Sequence, residues 1–222
     1  MRRLCAIVLC LSLMIFPVRG KDAQYVALTF DDGPSGRFTR RLLEGLEQRE
    51  VKATFLLCGY RLKDDQKTAK LIQQAGHEIG LHGYTHDDMG KMDEKTAAKE
   101  IADTYALLPK GCKPVFLRPP GGSVGEPLLK AAEKAGLALL NWSVDPRDWA
   151  VRDADAVQAA VLADVGDGDV ILLHDMSDSS VDAALGIIDS LQKQGFCFVT
   201  VSELAEIKGI TPKPGRKYTC FR

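Results

Sequence analysis

The 222-residue sequence predicts an α/β fold built on parallel strands in one domain. Two observations carry this. Seven short apolar runs, at 25–30, 53–59, 78–82, 115–118, 138–144, 170–174 and 196–201, recur with amphipathic stretches between them. The runs are continuously apolar rather than alternating, the pattern of strands covered on both faces. Periodicity alone fits a barrel and an open doubly wound sheet equally well. The length suits one full core and is too short for two ordinary domains and a linker.

Residues 1–20 read as a secretory signal peptide. Arg2 and Arg3 open the segment, 4–18 is almost wholly apolar, and Val18-Arg19-Gly20 ends on a small residue suited to cleavage. The run is shorter than the roughly 20 residues a membrane span needs. No later stretch is apolar enough to span, so the mature chain is expected to be secreted into the cell wall or periplasm with no membrane span. After the first strand, Phe38, Leu42 and Leu46 share one helical face, as do Ala97, Ile101 and Tyr105, and Leu128 with Ala132. Gln74-Ala75-Gly76, Lys134-Ala135-Gly136 and Lys193-Gln194-Gly195 each read as a helix stop with a left-handed glycine before the next strand. Residues 21–207 thus form the domain. Residues 208–222, with Pro212, Pro214 and five basic side chains, are expected to be a loosely ordered basic tail.

Loss of the three signal arginines leaves 26 basic residues against 30 acidic, a net charge of −4, which argues against a nucleic-acid partner. The chain is expected to act as a monomer. Cys58, Cys112, Cys197 and Cys220 remain. Export permits disulfides, and three full pairings are open. Cys197, within Phe196-Cys197-Phe198-Val199, reads as a buried thiol.

In either parallel architecture, chemistry gathers at the carboxyl ends of the strands. Asp31 and Asp32 follow the first apolar run, His82 ends the third, Arg118 the fourth, Asp145 follows the fifth and His174 ends the sixth. His82 and His86, spaced i,i+4, would point the same way on a helical turn. With one carboxylate they make a metal site that leaves positions for water and substrate. The second carboxylate is then available as a base, which is a hydrolase arrangement. An N/N/O ligand set suits Zn²⁺, and Co²⁺, Ni²⁺ or Mn²⁺ also fit.

Five strings in order carry a resemblance: Thr29-Phe30-Asp31-Asp32-Gly33, His82-Gly83-Tyr84-Thr85-His86, Arg118-Pro119-Pro120-Gly121, Asp145-Pro146-Arg147-Asp148-Trp149 and Leu172-Leu173-His174. Together they resemble the polysaccharide deacetylases, the NodB-type carbohydrate esterases. The resemblance implies a distorted (β/α)7-type barrel in a single NodB homology domain, and metal-dependent removal of acetyl groups from sugars. It implies Asp32, His82 and His86 as metal ligands and Asp31 as the general base, with Arg118 holding Asp31 in place. It implies the Gly121 N–H as an oxyanion donor and His174 as the general acid. Asp148 is implied as the partner that orients His174, with Asp145 the other candidate, and Trp149 and Leu172 as walls of the substrate pocket. His77, at the start of the third run, reads as structural, and Tyr25 and Trp142 as core.

Two positions depart from the family pattern. Gly83 stands where a Ser or Thr usually follows the first His, so the bracing hydroxyl is missing and Tyr84 or Thr85 is the expected substitute. Gly121-Gly122-Ser123 stands where an aromatic usually follows Arg-Pro-Pro, which keeps the backbone N–H but removes an aromatic wall, worth on the order of 1 kcal/mol of stacking. The expected partner is an acetylated glycan, most simply the N-acetylglucosamine or N-acetylmuramic acid of peptidoglycan. A chitooligosaccharide, an acetylated xylan, another amide, or glycan binding without turnover are the alternatives.

Overall fold

Eight strands and eight α-helices are interspersed through residues 23–222, the part of the chain that the computed structural model describes. The expected signal segment lies outside the described residues. In order they are β1 (Gln24–Asp31), α1 (Arg37–Gln48), β2 (Thr54–Leu57), α2 (Gly59–Asp64), α3 (Gln66–Gln74), β3 (Glu78–Leu81), α4 (Glu94–Tyr105), β4 (Phe116–Leu117), α5 (Glu126–Lys134), β5 (Ala138–Leu140), α6 (Ala154–Asp164), β6 (Val170–His174), α7 (Asp178–Lys193), β7 (Phe196–Phe198), α8 (Val201–Ile207) and β8 (Lys217–Tyr218). Each of the seven apolar runs coincides with one of β1 to β7. The strands β2 and β5 are buried at every position, as strands covered on both faces must be.

The strand order is β6-β1-β2-β3-β4-β5-β8, with β7 also paired to β1, and every ladder is parallel. A doubly wound sheet reverses direction at a switch point. Here β1 to β5 follow one another and β6 and β7 return to β1, so the sheet curls as a distorted (β/α)7-type barrel. The main apolar core packs β1 and β2 against α1 and α7 through Phe30, Leu42, Leu46, Phe55, Ile187 and Leu191. Gly76, Gly136 and Gly195 take positive φ of 76°, 73° and 90° at the three expected helix stops, where a side chain would be strained. Ala97 and Ile101 are buried as expected, but Tyr105, on the last turn of α4, is 46% exposed. Among the described residues no helix is long and apolar enough to cross a membrane.

The segment 208–222 is not loose. Arg216 and Tyr218 carbonyls accept the N–H groups of Leu139 and Asn141 at 2.9 and 2.8 Å, which lays β8 along β5. Cys220 then forms an antiparallel bridge with Asp169, just before β6. The tail therefore spans from β5 to the strand at the other end of the sheet. Phe221 is fully buried, its ring stacked on Tyr218 and edge-on to Phe116 at 5.5 and 6.3 Å. A Cβ at Gly168 would fall 2.1 Å from the Phe221 carbonyl oxygen, so glycine permits this approach. Arg222 closes the strap by pairing with the buried carboxylate of Asp169. Phe221→Ala is expected to cost about 3–5 kcal/mol, read as a lower urea midpoint at unchanged slope. A loss below about 1 kcal/mol would place the tail outside the cooperative fold.

Candidate active site

The carboxyl ends of β1, β3, β4 and β6 bring the sequence-predicted residues to one rim. Asp31 is the last residue of β1 and lies in register with His174, the last residue of β6. It is 3% exposed. Its Oδ1 accepts a hydrogen bond from Arg118 Nη1 at 2.7 Å. Arg118, fully buried beyond β4, also donates to Thr29 Oγ1 at 2.7 Å, the Leu140 carbonyl at 3.2 Å and the Asn141 carbonyl at 2.9 Å. The guanidinium fork thus ties β1 to the end of β5, with one carboxylate as its counter-charge.

Asp32 follows in a left-handed conformation, φ 69°, which turns its side chain away from Asp31 toward the two histidines. Its Oδ1 is buried without a well-formed hydrogen bond, yet His82 Nε2 and His86 Nε2 lie 3.2 and 2.9 Å from it. Three donor atoms crowding one another with an unsatisfied buried oxygen fit a divalent cation between them. Burial opposes charge on Asp32, but the hydrogen bonds and charges of His82 and His86 outweigh it and hold the carboxyl well below the usual range. The Asp32 contact raises the pKa of His86. His82 Nδ1 lies 2.8 Å from the Arg118 carbonyl, which orients the ring with Nε2 toward Asp32. The two histidines are not on a helical turn. Gly83 and His86 take positive φ of 74° and 70°, and the loop brings the rings to 5.3 Å centroid separation.

Across the rim, Asp148 is buried and binds His174 twice, accepting from its backbone N–H and bonding ring Nδ1, both at 2.8 Å. Asp145 instead accepts the Arg147 N–H at 2.9 Å and closes its own turn, so Asp148 is the histidine's partner. Burial works against a charged imidazole, but Asp148 and then the charges of Asp31 and Asp32 prevail and push His174 up to about 9. At that value the imidazole carries its second proton at neutral pH.

Gly121 lies in a short turn with φ 65°, and no atom stands within 4 Å of where its Cβ would project. Trp149 is 55% exposed beside Arg147 and so lies outside the core. Leu172 is buried two residues below His174, on the same face of β6 by strand alternation. Trp142, expected in the core, is half-buried. Its Cη2 lies 2.8 Å from where a Cβ on Gly122 would be, and the Arg118 guanidinium carbon lies 5.7 Å from its ring. His77 is buried at the other end of the sheet and accepts the Ala53 N–H at 3.2 Å. Burial and Lys52 lower it to about 4, so it stays neutral and structural.

Sequence reasoning missed two neighbours of the site. A carboxylate oxygen of Asp32, Cys58 Sγ and a ring nitrogen of His82 lie within 4.8 Å of one another. Burial, with the charges of Asp32 and Asp31, pushes the Cys58 thiol well up and keeps it protonated beside them. Its place at the end of β2, opposite His82 at the end of β3, was the available signal. Asp175 is fully buried beside His174, accepts the hydroxyls of Thr39 and Ser35, and is raised to about 6 by burial. It anchors the loop that follows Asp32, and only its adjacency to His174 marks it in the sequence.

The family pattern described as polysaccharide deacetylase matches residues 19–140. The chain is 38% identical over 189 residues to a peptidoglycan-N-acetylmuramic acid deacetylase of Bacillus subtilis, covering 84% of this chain and 40% of that protein. It is 36% identical over 193 residues to a peptidoglycan-N-acetylglucosamine deacetylase of Bacillus cereus, covering 84% of this chain and 91% of the relative. A family 4 acetyl xylan esterase from Clostridium thermocellum, solved with a cobalt ion, superposes with a TM-score of 0.82 at 35% identity, over 89% of this chain and 98% of the other. With a curled parallel sheet, a family pattern matched over more than half of the chain, and likeness to a relative across more than four-fifths of its length, the chain belongs to the polysaccharide deacetylase family.

Proposed function

We propose that this chain is an extracytoplasmic, metal-dependent hydrolase that removes N-acetyl groups from the N-acetylglucosamine or N-acetylmuramic acid units of peptidoglycan. The observation that carries the reading is the placement of His82 and His86 around the buried, unsatisfied Oδ1 of Asp32, with the Asp31–Arg118 and His174–Asp148 pairs on the same rim. The peptidoglycan substrates follow those named for the two Bacillus relatives.

Asp32, His82 and His86 would hold the cation; Zn²⁺ suits them, and Co²⁺, Ni²⁺ and Mn²⁺ are compatible. A divalent cation there supplies a Lewis acid that polarises the acetyl carbonyl and acidifies a water. Asp31, fixed by Arg118, would accept a proton from the attacking water as its oxygen adds to the carbonyl carbon. The Gly121 N–H donates to the oxygen that becomes negative. His174, held by Asp148, gives its proton to the sugar nitrogen as the C–N bond breaks, so acetate and a free amine leave. Trp149 and Leu172 bound the space for the sugar and the acetyl methyl.

The test is acetate release from N-acetylglucosamine oligomers and from purified peptidoglycan by the mature chain. Activity on peptidoglycan that disappears on chelation and returns with Zn²⁺ or Co²⁺ is the expected result. Release that survives complete metal removal overturns the metal assignment. Release from oligomers alone moves the substrate to chitooligosaccharides, and no release from either polymer rejects the reading.

A further inference from the structure

Gly83 removes the hydroxyl that usually braces the loop between the two histidines, yet the loop holds an irregular path with two left-handed residues, Gly83 and His86. The backbone polar groups of that loop can be followed one by one. Gly83 and Tyr84 carbonyls accept the N–H groups of Gly59 and Tyr60, at the start of α2, at 2.9 and 3.0 Å. The Tyr84 and Thr85 N–H groups both donate to one oxygen, Glu100 Oε2, at 2.7 and 2.9 Å. The Thr85 hydroxyl donates to the same oxygen at 3.2 Å. Glu100 projects from the middle of α4 and is only 9% exposed. A Cβ on Gly83 would stand 3.4 Å from this oxygen and 3.0 Å from Met89 Sδ. The carboxylate therefore occupies the space beside Gly83, where a side chain from that position would begin. Neither Tyr84 nor Thr85 replaces the missing hydroxyl alone; both are donors to an acceptor supplied by another element.

We propose that Glu100 is a positioning residue that clamps the loop between His82 and His86, and so sets the geometry with which the two imidazoles hold a divalent cation. This rests on the metal-site reading above. Glu100 touches neither cation nor substrate. It fixes the two residues between the left-handed Gly83 and His86, and His86 is the ligand with the less enclosed side chain, 44% exposed against 3% for His82. Without the clamp two loop N–H groups lose their acceptor, and His86 loses the constraint that keeps Nε2 on Asp32. Partners of this kind, one layer behind the ligands, typically tune metal affinity by about 10- to 100-fold.

The experiment titrates Co²⁺ into the metal-stripped mature chain and its variants, well below their melting temperatures, and follows binding by the cobalt absorption bands. Glu100→Ala is expected to weaken Co²⁺ binding by about 10- to 100-fold and to change the band shape, with helix content retained. Glu100→Gln, which keeps an acceptor oxygen at the same reach, is expected to recover part of the loss. A folded Glu100→Ala variant that binds Co²⁺ as tightly as the parent overturns the proposal, because lost helix packing alone lowers melting temperature and not affinity. Amide hydrogen exchange on the parent chain gives a reading that needs no variant: slow exchange at Tyr84 and Thr85 is expected, and fast exchange at both overturns the clamp. A parent chain that binds no Co²⁺ refutes the metal-site reading instead, and the exchange measurement still decides the clamp.

Discussion

Asp31→Asn is expected to lower kcat for acetate release by about 10²–10⁴-fold, the usual contribution of a positioned general base, while Co²⁺ still binds. The substitution is nearly isosteric. Asn can present its carbonyl oxygen to Arg118, but it cannot accept the proton of the attacking water. The Asp32, His82 and His86 donors are left as they were. Arg118 keeps its bonds to Thr29, Leu140 and Asn141, so a stability loss of about 1.5–3 kcal/mol, that of one charged hydrogen bond, is expected rather than unfolding. The two readouts separate three roles for this carboxylate. Lost turnover with retained Co²⁺ affinity identifies a base. Lost Co²⁺ affinity identifies a ligand, a role made relevant by the 3.7 Å between Asp31 Oδ2 and His82 Nε2. Unchanged turnover leaves Asp31 as an ion-pair partner only and removes it from the chemistry.

What was legible in the sequence was what is decided locally. Buried parallel strands are apolar throughout, so the seven runs appear without any tertiary information, and the left-handed glycines at 76, 136 and 195 mark helix ends because other residues avoid that conformation. The rim was legible because parallel strands all deliver their carboxyl ends to one side. The tail was not. The strand β8 is two residues long, and its order comes from Phe221 docking on Phe116, a residue more than a hundred positions earlier. The i,i+4 spacing of His82 and His86 suggested a helical turn, but Gly83 and His86 at positive φ replace it with a loop that converges the rings by another route. Spacing did not distinguish Asp145 from Asp148, since both lie in one turn. The distinction is a matter of which carboxylate a backbone N–H already occupies: Arg147 takes Asp145, and Asp148 reaches His174.

Arg118→Met is expected to be the most damaging single change in the site, costing about 3–5 kcal/mol of stability, as removal of one partner from a buried pair does, and abolishing turnover as fully as Asp31→Asn. The guanidinium is wholly enclosed, and Met refills much of its volume, so the loss measures charge and hydrogen bonds rather than a cavity. What remains is a carboxylate at 4% side-chain exposure without the cation that was 2.7 Å away. Arg118→Lys restores the charge but not the fork that reaches Thr29, Asp31 and two carbonyls, so it is expected to regain part of the stability and little of the turnover. The double variant Asp31→Asn with Arg118→Met gives the sharper test. If the cost of Arg118→Met is mainly an orphaned negative charge, neutralising Asp31 as well must make the protein more stable than Arg118→Met alone, although a second native residue has been removed. Denaturant midpoints of the parent and three variants measure that coupling directly. Additive losses would mean that Arg118 stabilises the barrel through its carbonyl contacts and that the Asp31 charge is compensated from elsewhere. A rescued double variant would show that the cost of Arg118→Met is the loss of one buried pair, the same pair that holds Asp31 in place at the rim.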